Sequence, residues 1–330
     1  MKIRLISDLH LDINAKYDLD FKYEKLEDMF TIVAGDICGS PEKTVAWLKW
    51  NISHGAFVSG NHDVYDTEMH IEDIKSYFAK NFPLDSNVTY FDNEVGVISK
   101  DIGDNVLLVA DVMYTDYKFP VGFRNPTGDI KKNICIADPW RSPARGGMND
   151  FNYGTCKKIW KNLNDENSLR PKHLMPEYYL EHHEKAFENI TNVIGKNLDK
   201  DILLMTHHCL SPQCIDDACD HESLNASYVS NKEDWIIAHP NIRCVCSGHM
   251  HTRKQFKVGN ALYVMNALGY CDEQYKMWSN ESNSYVSWTP DCIIDTNSWT
   301  ASFMPHDLDG WESKYKQENE KLMKFLPFFM

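Results

Sequence analysis

A layered α/β fold is predicted for this chain, and three observations predict it. Short apolar runs rich in β-branched residues recur along the sequence, segments with helical spacing lie between some of them, and chemistry-bearing polar residues follow five of the runs. Buried strands read as continuous apolar runs and helices as stripes of period 3.6, so their alternation implies a sheet covered by helices.

Residues 3–6, 31–34, 57–58, 106–110, 202–205 and 242–246 are the expected strands. Residues 41–50 form an expected helix with Pro41 at its start, where the missing N–H costs nothing. Over 67–82, Met69, Ile71, Ile74 and Phe78 share one stripe. Over 176–198, Tyr179, His183, Phe187, Ile190 and Ile194 share another. Between 115 and 175 the pattern breaks down and Pro120, Gly122, Pro126, Gly128, Pro139, Pro143, Gly146 and Gly147 crowd in. Such a stretch is expected to be an insertion or lid over the site, with short helices. Residues 310–330 carry charged helix formers and then Leu326-Pro-Phe-Phe-Met330, a C-terminal helix expected to dock its apolar end on the body. One domain over 1–330 is the expected organisation.

Charge narrows the partners. Lys and Arg number 34 against 48 Asp and Glu, a net charge of −14. Long duplex nucleic acid and anionic membranes call for a basic surface and are not expected. No apolar run approaches the roughly 18 residues of a membrane span, and no export signal is visible, so a cytoplasmic location is expected. The ten cysteines are then expected as free thiols. Cys209, Cys214 and Cys219 with nearby His221, and the pair Cys244 and Cys246, lack the C-x2-C spacing of structural zinc sites. Cys244 and Cys246 read as buried strand residues.

The chemistry concentrates where the strands end. Asp8-Leu9-His10 follows the first run, Gly35-Asp36 the second and Gly60-Asn61-His62-Asp63 the third. His207-His208 and Gly248-His249-Met250-His251 follow the runs at 202–205 and 242–246. Ligands of open α/β sheets bind at these carboxyl ends. Carboxylate and amide oxygens (Asp8, Asp36, Asn61) mixed with imidazoles (His10, His207, His249, His251) suit divalent ions of the first transition row. Seven donors are too many for one ion and natural for two sharing a carboxylate.

At these residues the chain resembles the calcineurin-like metallophosphoesterases. Their five ordered motifs are Asp-x-His, Gly-Asp, Gly-Asn-His-Asp/Glu, a His often doubled, and Gly-His-x-His, and all five stand here. Val88-Thr-Tyr-Phe-Asp-Asn93, Val109-Ala-Asp-Val-Met-Tyr-Thr-Asp116, Leu224-Asn-Ala-Ser-Tyr-Val229 and Asn266-Ala-Leu-Gly-Tyr270 resemble segments of a bacterial and phage-like subgroup of unassigned substrate. Ala267 stands where that subgroup often has Pro, and Met113-Tyr114 where Leu-Trp is common.

The resemblance implies an α-β-β-α sandwich and two divalent ions, Mn favoured among Mn, Fe, Zn and Mg. It places Asp8, His10 and His251 on one ion, Asn61, His207 and His249 on the other, and Asp36 between them. A hydroxide held between the ions would attack a phosphodiester, phosphomonoester or nucleotide in line, with His62 assisting the leaving group. His208 is expected to be structural, and Asp63 to orient His62 or cap the following helix. Tyr65, Tyr114 and Asp116 are expected near the substrate, and Arg141, Arg145 and Asn149 as phosphate contacts from the insertion. The alternatives are a nuclease acting on short single strands and a non-catalytic scaffold, the latter disfavoured because the ligand set and the free histidine are complete.

Overall fold

The computed structural model describes residues 1–14, 29–65, 69–122, 125–142, 147–152, 158–159, 172–215, 222–270 and 292–303. Its strands are β1 (Lys2–Ile6), β2 (Phe30–Val33), β3 (His54–Phe57), β4 (Val88–Tyr90), β5 (Ser99–Gly103), β6 (Val106–Asp111), β7 (Lys158–Ile159), β8 (Lys172–His173), β9 (Asp201–Thr206), β10 (Ile242–Ser247), β11 (Arg253–Val258), β12 (Ala261–Asn266), β13 (Cys292–Asp295) and β14 (Thr300–Phe303). Two six-stranded sheets result, ordered β14-β13-β1-β2-β3-β4 and β11-β12-β10-β9-β6-β5, with β7 and β8 a separate small pair. Within each sheet the central strands are parallel. The antiparallel members β13, β14, β5 and β11 sit toward the edges.

Alternating side chains sort most of the described core into three layers of apolar contact. Ile3, Leu5, Ile32 and Ala56 meet Leu108, Leu203, Met205 and Cys246 between the two sheets. On the outer face of the first sheet, Ile6, Val33 and Phe57 meet Leu48 of helix α2 (Pro41–Asn51) and Ile74 and Phe78 of α3 (Ile71–Asn81), which follow the short α1 (Leu11–Asn14). On the outer face of the second, Val109, Ile202, Leu204 and Val245 meet Ala186, Ile190 and Ile194 of the long helix α5 (Pro176–Lys196). The order is helix, sheet, sheet, helix.

Local chemistry supports these elements. Ser40 caps α2 by accepting from the Lys43 N–H, and Pro41 opens it. The expected helix over 67–82 is realised as Ile71–Asn81, with His70 at its N-cap. In the expected insertion, α4 (Ile130–Ala137) is capped by Asp129 and buries Ile134 and Ala137 in the core shared with α2 and α3. The C-terminal helix expected over 310–330 lies outside the described residues, as do Cys219, His221 and Arg145. The seven described cysteines are free thiols. Cys244 and Cys246 are buried between the sheets. Among the described residues no helix is long and apolar enough to cross a membrane.

Candidate metal centre

The carboxyl ends of β1, β2 and β3 meet those of β9 and β10, because both sheets present parallel strands to the same rim. The seam there is stitched by backbone: Gly248 N–H donates to His207 O, Leu268 N–H to Ser7 O and Gly269 N–H to Asp8 O. Five side chains on this rim depend on left-handed backbone: Asp8 (φ 56), His10 (φ 43), Asp36 (φ 57), His249 (φ 69) and His251 (φ 48). Each such residue costs on the order of 1–3 kcal/mol and persists only where its surroundings over-determine it. Neither Asp8-Leu9-His10 nor His249-Met250-His251 is therefore an extended segment.

Glycines make the close approaches possible. A Cβ at Gly60 would stand 2.0 Å from Asp36 Oδ1, and one at Gly248 would stand 2.4 Å from Asp8 Oδ2. A side chain at Gly35 would meet His207 Nδ1 at 2.6 Å.

The donor atoms converge in two groups. In one, His10 Nε2 and His251 Nε2 lie 2.9 Å apart, and Asp8 Oδ1 is 3.7 Å from His251 Nε2. In the other, His207 Nε2 is 3.0 Å from Asn61 Oδ1 and 3.4 Å from Asp36 Oδ2, with His249 beside them. Asp36 Oδ2 also lies 3.8 Å from His10 Nε2, so this carboxylate touches both groups. Asp36 Oδ1 accepts the His62 N–H at 2.7 Å, which ties the residue after Asn61 to the same carboxylate.

Hydrogen bonds behind the donors set their orientation. His207 Nδ1 donates to the Ala34 carbonyl at 2.8 Å, so Nε2 faces the centre. The Asn61 amide donates from Nδ2 to Asp150 Oδ1 at 2.9 Å and to Tyr65 Oη at 3.3 Å, which turns its Oδ1 inward. Asp63 accepts from the backbone N–H groups of Asp36, Ile37, Cys38 and Gly60 and from the Thr44 hydroxyl. Its carboxylate is thus committed to the loop carrying Asp36. His208 is fully buried against His249, with ring centroids 4.1 Å apart.

Electrostatics follow this geometry. Burial raises the Asp8 carboxyl above its usual range. Burial also works to raise Asp36, but the imidazoles of His207 and His62 outweigh it and hold the carboxyl well below that range. Burial works to lower His207, yet the Asp36 carboxylate pushes it up to about 9. His10, His208 and His249 are held well below the usual histidine value, first by burial and then by neighbouring imidazoles.

The donor set fits divalent ions on its own chemistry. Asp8 Oδ2, Asp36 Oδ2 and His249 Nε2 are buried without a hydrogen-bond partner, a costly state that cation ligation removes. The ligand atoms of Asp8, His10 and His251 lie within 4.8 Å of one another, as do those of Asp36, His207 and His249.

A family model described as calcineurin-like phosphoesterase matches residues 1–253. The chain belongs to the calcineurin-like phosphoesterase family. It is therefore a metal-dependent hydrolase of phosphoric esters, and the family implies a dinuclear divalent centre. The fold is shared with the crystal structure of phosphopantetheinyl hydrolase from Mycobacterium tuberculosis, at 18% identity over 87% of this chain and 95% of that one, with a TM-score of 0.60. A putative 5'-nucleotidase from Staphylococcus aureus overlaps more loosely, at 10% identity over 97% of this chain and 58% of that one, with a TM-score of 0.40. No curated protein matches significantly.

In this phosphoesterase the centre opens on a cavity of about 470 Å³ lined by Asp36, Asn61, His62, Tyr65, His249 and His251. Gly147, Met148, Asn149 and Asp150 form another part of the wall, so the expected insertion reaches the site through residues 147–150. Tyr114 and Asp116, expected near the substrate, do not line it. Tyr114 is fully buried and stacks on Tyr179 at 3.7 Å between centroids. Asp116 pairs with Lys232 at 2.8 Å. Both face inward because the strand-end segment after β6 turns into the helix layer. Arg141, expected as a phosphate contact, is held by Asp138 and Glu177 and is not on the cavity wall. Asp150 lines the cavity without belonging to any motif, whereas Tyr228, Met250 and Tyr270 lie inside the quoted motifs and segments but were assigned no role there.

Proposed function

We propose that this phosphoesterase hydrolyses a small phosphodiester, phosphomonoester or nucleotide at the rim where the two sheets meet. Asp8, His10 and His251 would hold one divalent ion, Asn61, His207 and His249 a second, and Asp36 would bridge them, with Mn favoured. The single observation that carries this reading is Asp36, whose Oδ2 lies within 3.8 Å of the imidazoles of both groups. Bound ions would supply Lewis acidity toward the phosphoryl oxygens and acidify a water toward neutral pH.

The chain's own residues do the rest. Burial keeps His10 and His249 neutral, the state in which an imidazole ligates. The Asp150 carboxylate and Tyr65 hydroxyl hold the Asn61 amide, so its oxygen rather than its nitrogen faces inward. His62 lies at the cavity wall with its ring 4.5 Å from that of His10. For in-line displacement at phosphorus, it protonates the departing oxygen. The cavity volume of about 470 Å³ suits a small molecule and is far too small for a duplex.

The test is turnover of aryl and alkyl phosphate mono- and diesters with Mn²⁺, beside a single-stranded oligonucleotide. His62→Ala is expected to retain two ions per chain by elemental analysis and to lose about 10²–10⁴-fold in kcat. Full activity in that variant sinks the role of His62. Failure of the wild-type protein to hydrolyse any ester sinks the whole reading.

A further inference from the structure

We infer that Tyr270 is a positioning residue for His62, its hydroxyl fixing the imidazole in the orientation that serves the leaving group. The inference rests on the proposed role of His62 and adds what holds that side chain.

Tyr270 Oη lies 3.0 Å from His62 Nε2, within hydrogen-bond reach. Its ring also leans on the centre, 4.6 Å between centroids from His10 and 4.6 Å from His251. Tyr65 closes on His62 at 4.2 Å. The imidazole is thus flanked by two tyrosines, and one of them contacts a ring nitrogen.

The segment bearing Tyr270 is anchored independently of that contact. Leu268 N–H donates to Ser7 O at 3.2 Å and Gly269 N–H to Asp8 O at 3.0 Å. Asn14 Nδ2 donates to Leu9 O at 2.8 Å and to Gly269 O at 3.0 Å. Gly269 has φ +73, and a Cβ there would stand 2.7 Å from His251 Cβ, so no other residue fits without displacement. Tyr270 is therefore presented by a segment after β12 that is hydrogen-bonded to the loop carrying Asp8 and His10. The motif carboxylate nearest in sequence, Asp63, has both oxygens bonded to the backbone of Asp36, Ile37, Cys38 and Gly60. The Tyr270 hydroxyl, by contrast, reaches a nitrogen of the His62 ring.

In the step this serves, an oxygen from water bonds to phosphorus in line as the bond between phosphorus and the departing oxygen breaks. The departing oxygen takes a proton from the His62 imidazolium, which is left neutral, while Tyr270 neither gains nor loses a proton. An alkoxide needs that proton far more than a nitrophenolate does, and the difference gives a readout that general loosening of the fold would not produce.

Tyr270→Phe deletes only the hydroxyl. In the Mn²⁺-loaded enzyme, kcat on an alkyl phosphate ester is expected to fall about ten-fold or more, while kcat on the 4-nitrophenyl ester stays within about two-fold and KM is unchanged for both. Two ions per chain and the wild-type circular dichroism spectrum accompany that result. Equal losses on the two esters, no loss on either, or loss of metal would overturn the assignment. His62→Ala runs in parallel and is expected to show a larger loss with the same bias toward the alkyl ester. If His62→Ala shows that bias and Tyr270→Phe does not, only the tyrosine assignment fails. If His62→Ala itself lacks the bias, the reading of His62 fails and takes the tyrosine with it.

Discussion

Asp36 is where the residue-scale constraints meet. It adopts φ 57, gives one oxygen to the His62 N–H, aims the other at two imidazoles, and has Gly60 pressed against it. Asp36→Asn keeps the volume but removes the charge that opposes two cations, so metal content measured after dialysis should drop along with activity. Full occupancy would count against the bridging role. Gly60→Ala tests the same point sterically. Its Cβ would lie 2.0 Å from Asp36 Oδ1 and 2.6 Å from His207 Cε1, so the loop must move. The expected cost is about 1–3 kcal/mol in stability with impaired metal binding, read by urea unfolding and elemental analysis. A variant as stable and as well loaded as the wild type would show that the loop gives way freely. The donors themselves were legible because each is a polar residue immediately after an apolar run. Asp150 was not, since nothing local distinguishes a cavity aspartate from any other, and Tyr270 stood in a quoted segment with nothing to show that its side chain reaches the cavity.

Strands and helices differ in how plainly they are written. β6, β9 and β10 are covered on both faces, so each reads as an apolar run, interrupted in β10 only by the partly exposed Arg243. β11 and β14 leave one face open and show alternating exposure, and sequences such as Arg253-Lys-Gln-Phe-Lys-Val258 carry no such run. β12 is as apolar as β9 and β10, but no paired histidine or aspartate follows it to mark it. Connections between elements carry their own weight. Asp63 binds four backbone N–H groups across the loops that follow β2 and β3. Asp63→Ala strands those buried donors, and a loss of about 3 kcal/mol or more is expected in chemical unfolding. A loss below about 1 kcal/mol would mean that water replaces the carboxylate. Lys75 plays a similar part in the helix layer. Its buried ammonium lies 3.0 Å from Asp92 and 2.8 Å from Glu94, and Glu94 also accepts from Tyr178 of α5. Burial disfavours the charged lysine, but Asp92 and its neighbours outweigh that and hold the ammonium protonated. Lys75→Met leaves the Asp92 carboxylate buried without its ammonium, although the Glu94 N–H and the Tyr90 hydroxyl still donate to it, with an expected cost of about 3–5 kcal/mol by the same measurement.

At the scale of the whole molecule, stability and metal loading are linked through pH. In the metal-free protein His207 is raised from 6.5 to about 9. A raised base contributes stability that is complete below its unfolded value and is lost as pH rises through the folded one. His10, His208 and His249 are lowered, so their contribution is lost instead as pH falls below about 6.5. Between pH 6.5 and 9 the His207 effect acts in a window where those three no longer titrate. The Tm of chelator-stripped protein is expected to fall across that window. Ligation requires neutral imidazole, so metal affinity rises over the same range and the reloaded protein should hold its Tm. Parallel Tm profiles for the two forms would contradict this coupling.

The net charge of −14, the apolar runs and the five polar clusters that follow them are properties of the chain, readable without coordinates. They determined the layered α/β class and gathered divalent-ion donor chemistry at the rim, because burial on both faces and ligand chemistry each leave a local mark in residue type. Only the tertiary structure decided that two sheets share that rim, that five donors sit on left-handed backbone, and that Asp150 and Tyr270 complete the wall. Those facts depend on contacts between residues far apart in sequence, such as Asn61 with Asp150 and His62 with Tyr270. No spacing or periodicity encodes such a distance; it exists only once the sheets have packed face to face.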